Sequence, residues 1–164
     1  MSIFTRAQVV AEARSWLRTP YHKNGRVKGV GVDCGTLLLC VFLAGGFLSE
    51  EDVRTFDRLC PPNQDWFVHS ADEKYVALVI RHARHVLTAI SYRTLEALPG
   101  SIAVTRHDHA AKRWNHGGIV TEWPRVIHAV GGHGVREVDA TNDDMWNFRE
   151  ICIFDAWAKL EAAA

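Results

Sequence analysis

No apolar run in this sequence approaches the roughly 18 residues that a membrane-spanning helix requires. Neither sign of charge is in excess, since Lys+Arg and Asp+Glu both total 19. The first absence argues against a membrane span, and the second removes the basic footprint of nucleic-acid binding or of a polybasic membrane patch. Cysteine is sparse: Cys34, Cys40, Cys60 and Cys152 lie far apart without CxxC spacing, so neither a zinc knuckle nor a disulfide framework is signalled. The first ten residues have no basic segment leading into an apolar one, so no export signal is expected. There is no internal repeat, low-complexity tract or linker. What remains is a 164-residue chain, 48% hydrophobic and 23% charged, which fits one domain over residues 1–164 with a real core. Its substrate has to be read from a site and not from bulk charge.

The first half of the chain has helical period. Thr5 and Gln8 form a capping box, Phe4 and Val9 a hydrophobic staple, and Val9, Val10, Ala13, Trp16 and Leu17 predict a helix over about residues 6–18, stopped before Pro20. A glycine-punctuated loop then leads to Asp33-Cys34-Gly35-Thr36 and a second helix, apolar on most sides, that ends at Gly45-Gly46. Residues 49–69 read as an irregular excursion. A capping box at Ser70 and Glu73 opens a third helix carrying Tyr75, Val76, Val79, Ala83, Val86, Leu87 and Ile90.

From Pro99-Gly100 onward the period is two. Strands are expected near 101–106, 116–123, 126–131, 134–138 and 148–155. Helices followed by antiparallel strands make an α+β domain with its helices on one side of a sheet.

Cys34 is the sharpest chemical feature. Asp33 is a good N-cap, and Cys34 falls in the first turn, where unpaired N–H groups and the helix dipole stabilise the thiolate that amide hydrolysis needs. Nearby glycines leave room for a substrate backbone. Thiol catalysis also needs a base within hydrogen-bond reach and a group to orient it. The strands offer His116, in Asn115-His116-Gly117-Gly118-Ile119-Val120, and His128, in Val126-Ile127-His128-Ala129-Val130. A tight turn at Pro124-Arg125 would put His128 opposite Thr121, out of reach of His116. A wider turn or a bulge at Gly117-Gly118 would bring the pair together; otherwise His133 competes as orienter. A metal site built from His107 and His109 with His116, His128 or His133 is the rival chemistry, but no HExxH accompanies it. His82 and His85 are expected on the wet face of the third helix.

Taken together, Asp33-Cys34-Gly35 at a helix start, Leu98-Pro99-Gly100-Ser101-Ile102 opening a strand, His116-Gly117-Gly118-Ile119-Val120, and Ile127-His128-Ala129 resemble the NlpC/P60 family of papain-like cysteine peptidases. The order Cys, His, His and the twelve-residue step from His116 to His128 match it, and the likeness covers nearly the whole chain. Thr19-Pro20-Tyr21-His22, the Lys28–Cys34 run and Asp65–His69 are most similar to the phage-encoded branch. The resemblance implies a papain-like α+β fold with the catalytic Cys34 opening a central helix. It implies a Cys34–His116–His128 triad acting without a cofactor or metal on peptidoglycan stem peptides, commonly between D-glutamate and the diamino acid. It places substrate contacts at Tyr21, Asp33 and Gly35.

Two positions depart from the family pattern. Gly35 stands where the family usually has Ser, which leaves the preferred peptide open, and Ser101 stands where it usually has Asp. The alternatives are another thiol acyl transfer, as in an amidase or transpeptidase, or a phage tail assembly module. Without an export signal, the expectation is synthesis in the cytoplasm, then a place in a virion tail beside other tail proteins or release onto the cell wall.

Overall fold

The computed structural model describes residues 3–59, 88–91, 97–105, 116–147 and 150–158. Helix α1 (Arg6–Ser15) opens with the expected capping box: Thr5 Oγ1 accepts from the Gln8 amide and Gln8 Oε1 from the Thr5 amide, at 3.3 and 2.8 Å. It ends earlier than its apolar period suggests, because Trp16 caps it and Arg18 turns to φ +68°. A short hairpin, β1 (Arg26–Val27) and β2 (Gly31–Val32), delivers the chain to helix α2 (Cys34–Ala44). Eight of its eleven residues are buried, as expected for a helix in the middle of a domain.

Residues 50–59 are not irregular. They form helix α3 (Glu50–Leu59), which also starts at a reciprocal cap, with the Ser49 amide donating to Asp52 Oδ2 and the Asp52 amide to Ser49 Oγ. Three carboxylates, Glu50, Glu51 and Asp52, lie in its first turn, where the helix dipole favours negative charge. Its Asp57 takes a two-pronged ion pair from Arg26, at 2.6 and 3.1 Å, fixing α3 against the β1–β2 hairpin.

A six-stranded antiparallel sheet follows. Strands β3 (Thr88–Ser91), β4 (Ile102–Thr105), β5 (His116–Glu122), β6 (Arg125–Val130), β7 (Gly134–Asp139) and β8 (Ile151–Asp155) lie in the order β3-β8-β4-β5-β6-β7. Ile90 is therefore in a strand, where its spacing had suggested the end of the third helix. The rest of that helix, with His82 and His85, lies outside the described residues, as do Cys60, His107 and His109.

The α+β arrangement follows from the pattern of the strands. Ile102, Val104, Ile119, Ile127 and Ala129 pack with Val9 and Ala13 of α1 and Leu37, Leu38 and Val41 of α2 in the main core. The alternate residues Ala103, Val120 and Val126 face the other way, where Ala140 and Trp146 cover them. Arg6 of α1 clamps Asp155 of β8 through both terminal guanidinium nitrogens, at 3.1 and 2.8 Å.

The β5–β6 register decides the site. Glu122 pairs with Arg125, so the turn is Trp123-Pro124, one residue earlier than the sequence suggested. Val120 then pairs with Val126 and Ile119 with Ile127, which makes Thr121 the extra residue of a bulge. The bulge is thus at Thr121 and not at Gly117-Gly118. The bulged Thr121 hydroxyl donates to Glu137 Oε1 of β7 at 2.6 Å. Continuing this register brings His128 beside Gly118 and diagonal to His116, on the same face of the sheet.

Gly118 has no room for a side chain: a Cβ there would lie 2.5 Å from Val126 Cγ1, 2.8 Å from the Ile127 carbonyl oxygen and 3.1 Å from the Trp146 ring. Gly118→Ala is expected to destabilise the protein by roughly 1–3 kcal/mol, an overpacking cost. Urea denaturation measures this, and an unchanged midpoint would contradict the close approach of Val126 and Trp146.

Candidate active site

Cys34 sits where the sequence places it, at the first position of α2. Asp33 caps that helix: its Oδ1 accepts from the Thr36 amide at 2.8 Å and from the Thr36 hydroxyl at 2.9 Å, and the Asp33 amide donates back to Thr36 Oγ1 at 2.9 Å. The second carboxylate oxygen accepts from the Asn24 amide at 2.6 Å, with Asn24 in the left-handed region at φ +58°. Asp33 is thus buried and spends its oxygens on the loop and the helix start. Tyr21 joins the group through a parallel bridge to Val32, half-buried and close enough to feel the charges of both Cys34 and Asp33. Burial, with those two neighbours, raises its phenol. Gly35 is buried in the first turn of α2.

The Cys34 sulfur meets the sheet where β5 begins. The backbone amides of Gly117, the residue after His116, of Gly35 and of Cys34 itself lie close enough to lower its thiol. These amides favour a thiolate, but they do not win. Burial, reinforced by the Asp33 carboxylate, pushes the thiol up to about 12. The helix start alone therefore does not hold the thiolate that the sequence reading assigned to it.

The two histidines of the sequence reading are in contact. His116 Nε2 and His128 Nδ1 are 2.7 Å apart, with the rings edge to face at 5.0 Å. His133 does not compete, being exposed in the β6–β7 turn. A residue that sequence reasoning missed completes the cluster: the indole Nε1 of Trp146 donates to the same His128 Nδ1 at 3.1 Å. Its only sequence signal is the preceding Asp143, whose Oδ1 accepts from the Met145 amide at 2.9 Å and starts the turn that carries Trp146. Asp143 also pairs with Arg136, which faces His128 across β6 and β7. Cys34, His116, His128 and Trp146 are 5%, 4%, 0% and 1% exposed, so all four side chains are shielded from bulk water.

Burial lowers His128 from 6.5 to about 4; the Asp143 carboxylate opposes this and the Arg136 charge adds to it. A base held neutral in this way binds fewer protons folded than unfolded across that window. The stability it contributes is fully present above about 6.5 and is lost as pH falls toward about 4. The thermal midpoint is expected to drop over that range, and to drop less steeply in His128→Gln. Equal slopes in the two proteins would contradict a neutral buried His128.

Among the described residues no group of three or more His, Cys, Asp or Glu side chains is arranged to hold a metal. No helix among them is long and apolar enough to cross a membrane.

No protein-family model and no curated protein matches the sequence. Solved structures do match the fold. The NlpC/p60 domain of the peptidoglycan hydrolase SagA superposes with a TM-score of 0.56 at 18% identity, over 92% of this chain and 98% of that one. An NlpC/P60 family protein from Bacillus cereus ATCC 10987 superposes with a TM-score of 0.58 at 13% identity; 90% of this chain covers 40% of that longer one. The mixed α+β fold of this chain is thus that of NlpC/P60 domains.

Proposed function

We propose that this chain is a cysteine peptidase of the NlpC/P60 type that hydrolyses peptide bonds in bacterial peptidoglycan stem peptides, with Cys34 as nucleophile, His116 as base and His128 as its orienter. The observation that carries the reading is the joint one: a cysteine at a capped helix start lies against the strand that begins with His116, and His116 is hydrogen-bonded to a second buried histidine. Its fold is like that of a domain from a peptidoglycan hydrolase.

In this mechanism His116 takes the Cys34 proton as the sulfur attacks the scissile carbonyl, forming the C–S bond. The oxyanion that develops is met by the Cys34 amide at the positive end of α2. Collapse breaks the C–N bond, and His116 returns its proton to the departing amine. Water, deprotonated by His116, then hydrolyses the thioester and restores the thiol. Tyr21 and Asp33 flank the thiol, and Asp33 Oδ2, which accepts a single bond, from Asn24, keeps a lone pair that would face a substrate ammonium. Gly35 leaves space beside the sulfur where a serine would add a hydroxyl. None of these steps requires a cofactor or a metal.

The test is digestion of purified muropeptides under reducing conditions, with the fragments identified by mass. Cleavage between D-glutamate and the diamino acid, undiminished by chelator, is the expected result. Fragments joined to a new amine would move the activity to transpeptidation, and no reaction would overturn the proposal. A place in a phage tail rests on the likeness of Thr19–His22 and Lys28–Cys34 to phage-encoded members; purified virions that lack the protein would remove it.

A further inference from the structure

We infer that Trp146 is a positioning residue of this site, whose indole N–H fixes the tautomer of His128 and through it that of His116. The inference rests on the proposed roles of Cys34, His116 and His128. An indole nitrogen donates and never accepts. Its 3.1 Å bond to His128 Nδ1 therefore requires a lone pair on that nitrogen. Neutral His128 then carries its single proton on Nε2, which is buried and has no hydrogen-bond partner among the described residues. Leaving that N–H unpaired is costly. Without the indole, the proton would do better on Nδ1, where it would donate to His116 Nε2 across the same 2.7 Å.

The two tautomers have opposite consequences for catalysis. With the lone pair on His128 Nδ1, the proton in the 2.7 Å bond belongs to His116 Nε2, and the lone pair of neutral His116 is on Nδ1, where it can accept the thiol proton. In the reverse arrangement His116 Nδ1 is already protonated and the base is disabled. One donor on His128 thus selects the working form of a residue it does not bond.

The surroundings hold the indole to this task. Trp146 is 1% exposed, and its ring meets those of His116 and His128 with centroids at 5.3 and 5.7 Å. Its turn is tied by Asp143, whose backbone carbonyl accepts from the Trp146 and Asn147 amides at 2.9 and 2.7 Å, and whose carboxylate is paired with Arg136. The missing side chain of Gly118 leaves the indole its place beside the two imidazoles.

Long-range nitrogen–proton NMR spectra of the whole chain, labelled with ¹⁵N, read the tautomers without any substrate. The expected pattern is an unprotonated Nδ1 and a protonated Nε2 in His128, with a protonated Nε2 in His116; the reverse pattern overturns the inference. Trp146→Phe keeps a ring but removes the donor. It is expected to move protons onto Nδ1 of both histidines and to lower kcat by roughly tenfold to a hundredfold with KM unchanged, since a wrong histidine tautomer costs other enzymes up to about 10⁴. Unchanged tautomers and kcat in that variant also overturn it. If the wild type cleaves no muropeptide, the peptidase reading fails by itself, and the NMR pattern still decides the role of Trp146.

Discussion

Cys34→Ala is expected to abolish muropeptide cleavage, lowering kcat by up to about a millionfold, the scale on which loss of the nucleophile acts in enzymes that pair one with a base. The effect is specific because the residue is replaceable as a structural element. The helix start is held by the reciprocal bonds of Asp33 and Thr36, none of which uses the sulfur. The neighbouring Leu37, Leu38 and Val41 keep α2 in the core. The thermal midpoint should therefore move little while cleavage disappears. A variant that folds and retains even one per cent of the rate would require another nucleophile.

His128→Ala is the second large effect, and it acts on both turnover and stability. The wild-type imidazole is wholly buried, and its Nδ1 accepts from the Trp146 indole and is hydrogen-bonded to His116 Nε2. Removing it leaves the indole N–H facing a cavity and deprives His116 of the bond that orients it. The expected loss of stability is on the order of 2–4 kcal/mol, from a buried cavity together with a stranded donor. The expected loss of kcat is roughly 10²–10⁴-fold, the range assigned to an oriented proton-transfer group. His128→Asn supplies an acceptor oxygen without the ring and should recover part of the rate. Asparagine performing no better than alanine would mean that the accepting lone pair is not what His128 contributes.

Much of this site was legible where the cause is local. Thr5 with Gln8, and Asp33 as an N-cap, announced both helix starts because capping is a contact within one turn. The two-residue period from Ile102 onward announced the sheet because it records which face is buried. Helix α3 was hidden by a short aspartate at the reciprocal position of its cap, where glutamate or glutamine is the familiar signal. The contact between His116 and His128 followed from resemblance; strand arithmetic opposed it, because one extra residue at Thr121 and a turn one residue earlier change every pairing. Trp146 could not be read at all, since its role depends on a loop crossing the sheet to meet a strand eighteen residues away. The upward shift of Cys34 was equally illegible: helix-start amides are visible in sequence, but the burial that outweighs them is not.

The central claim is that cleavage passes through the Cys34 sulfur. It is tested most directly by titrating the protein with iodoacetamide during muropeptide digestion and plotting the remaining rate against the fraction of Cys34 alkylated, measured by peptide mass. A straight line reaching zero when Cys34 is fully modified is expected, whatever the state of Cys40, Cys60 and Cys152. Cleavage persisting at full alkylation of Cys34, or vanishing while Cys34 is intact, would contradict it.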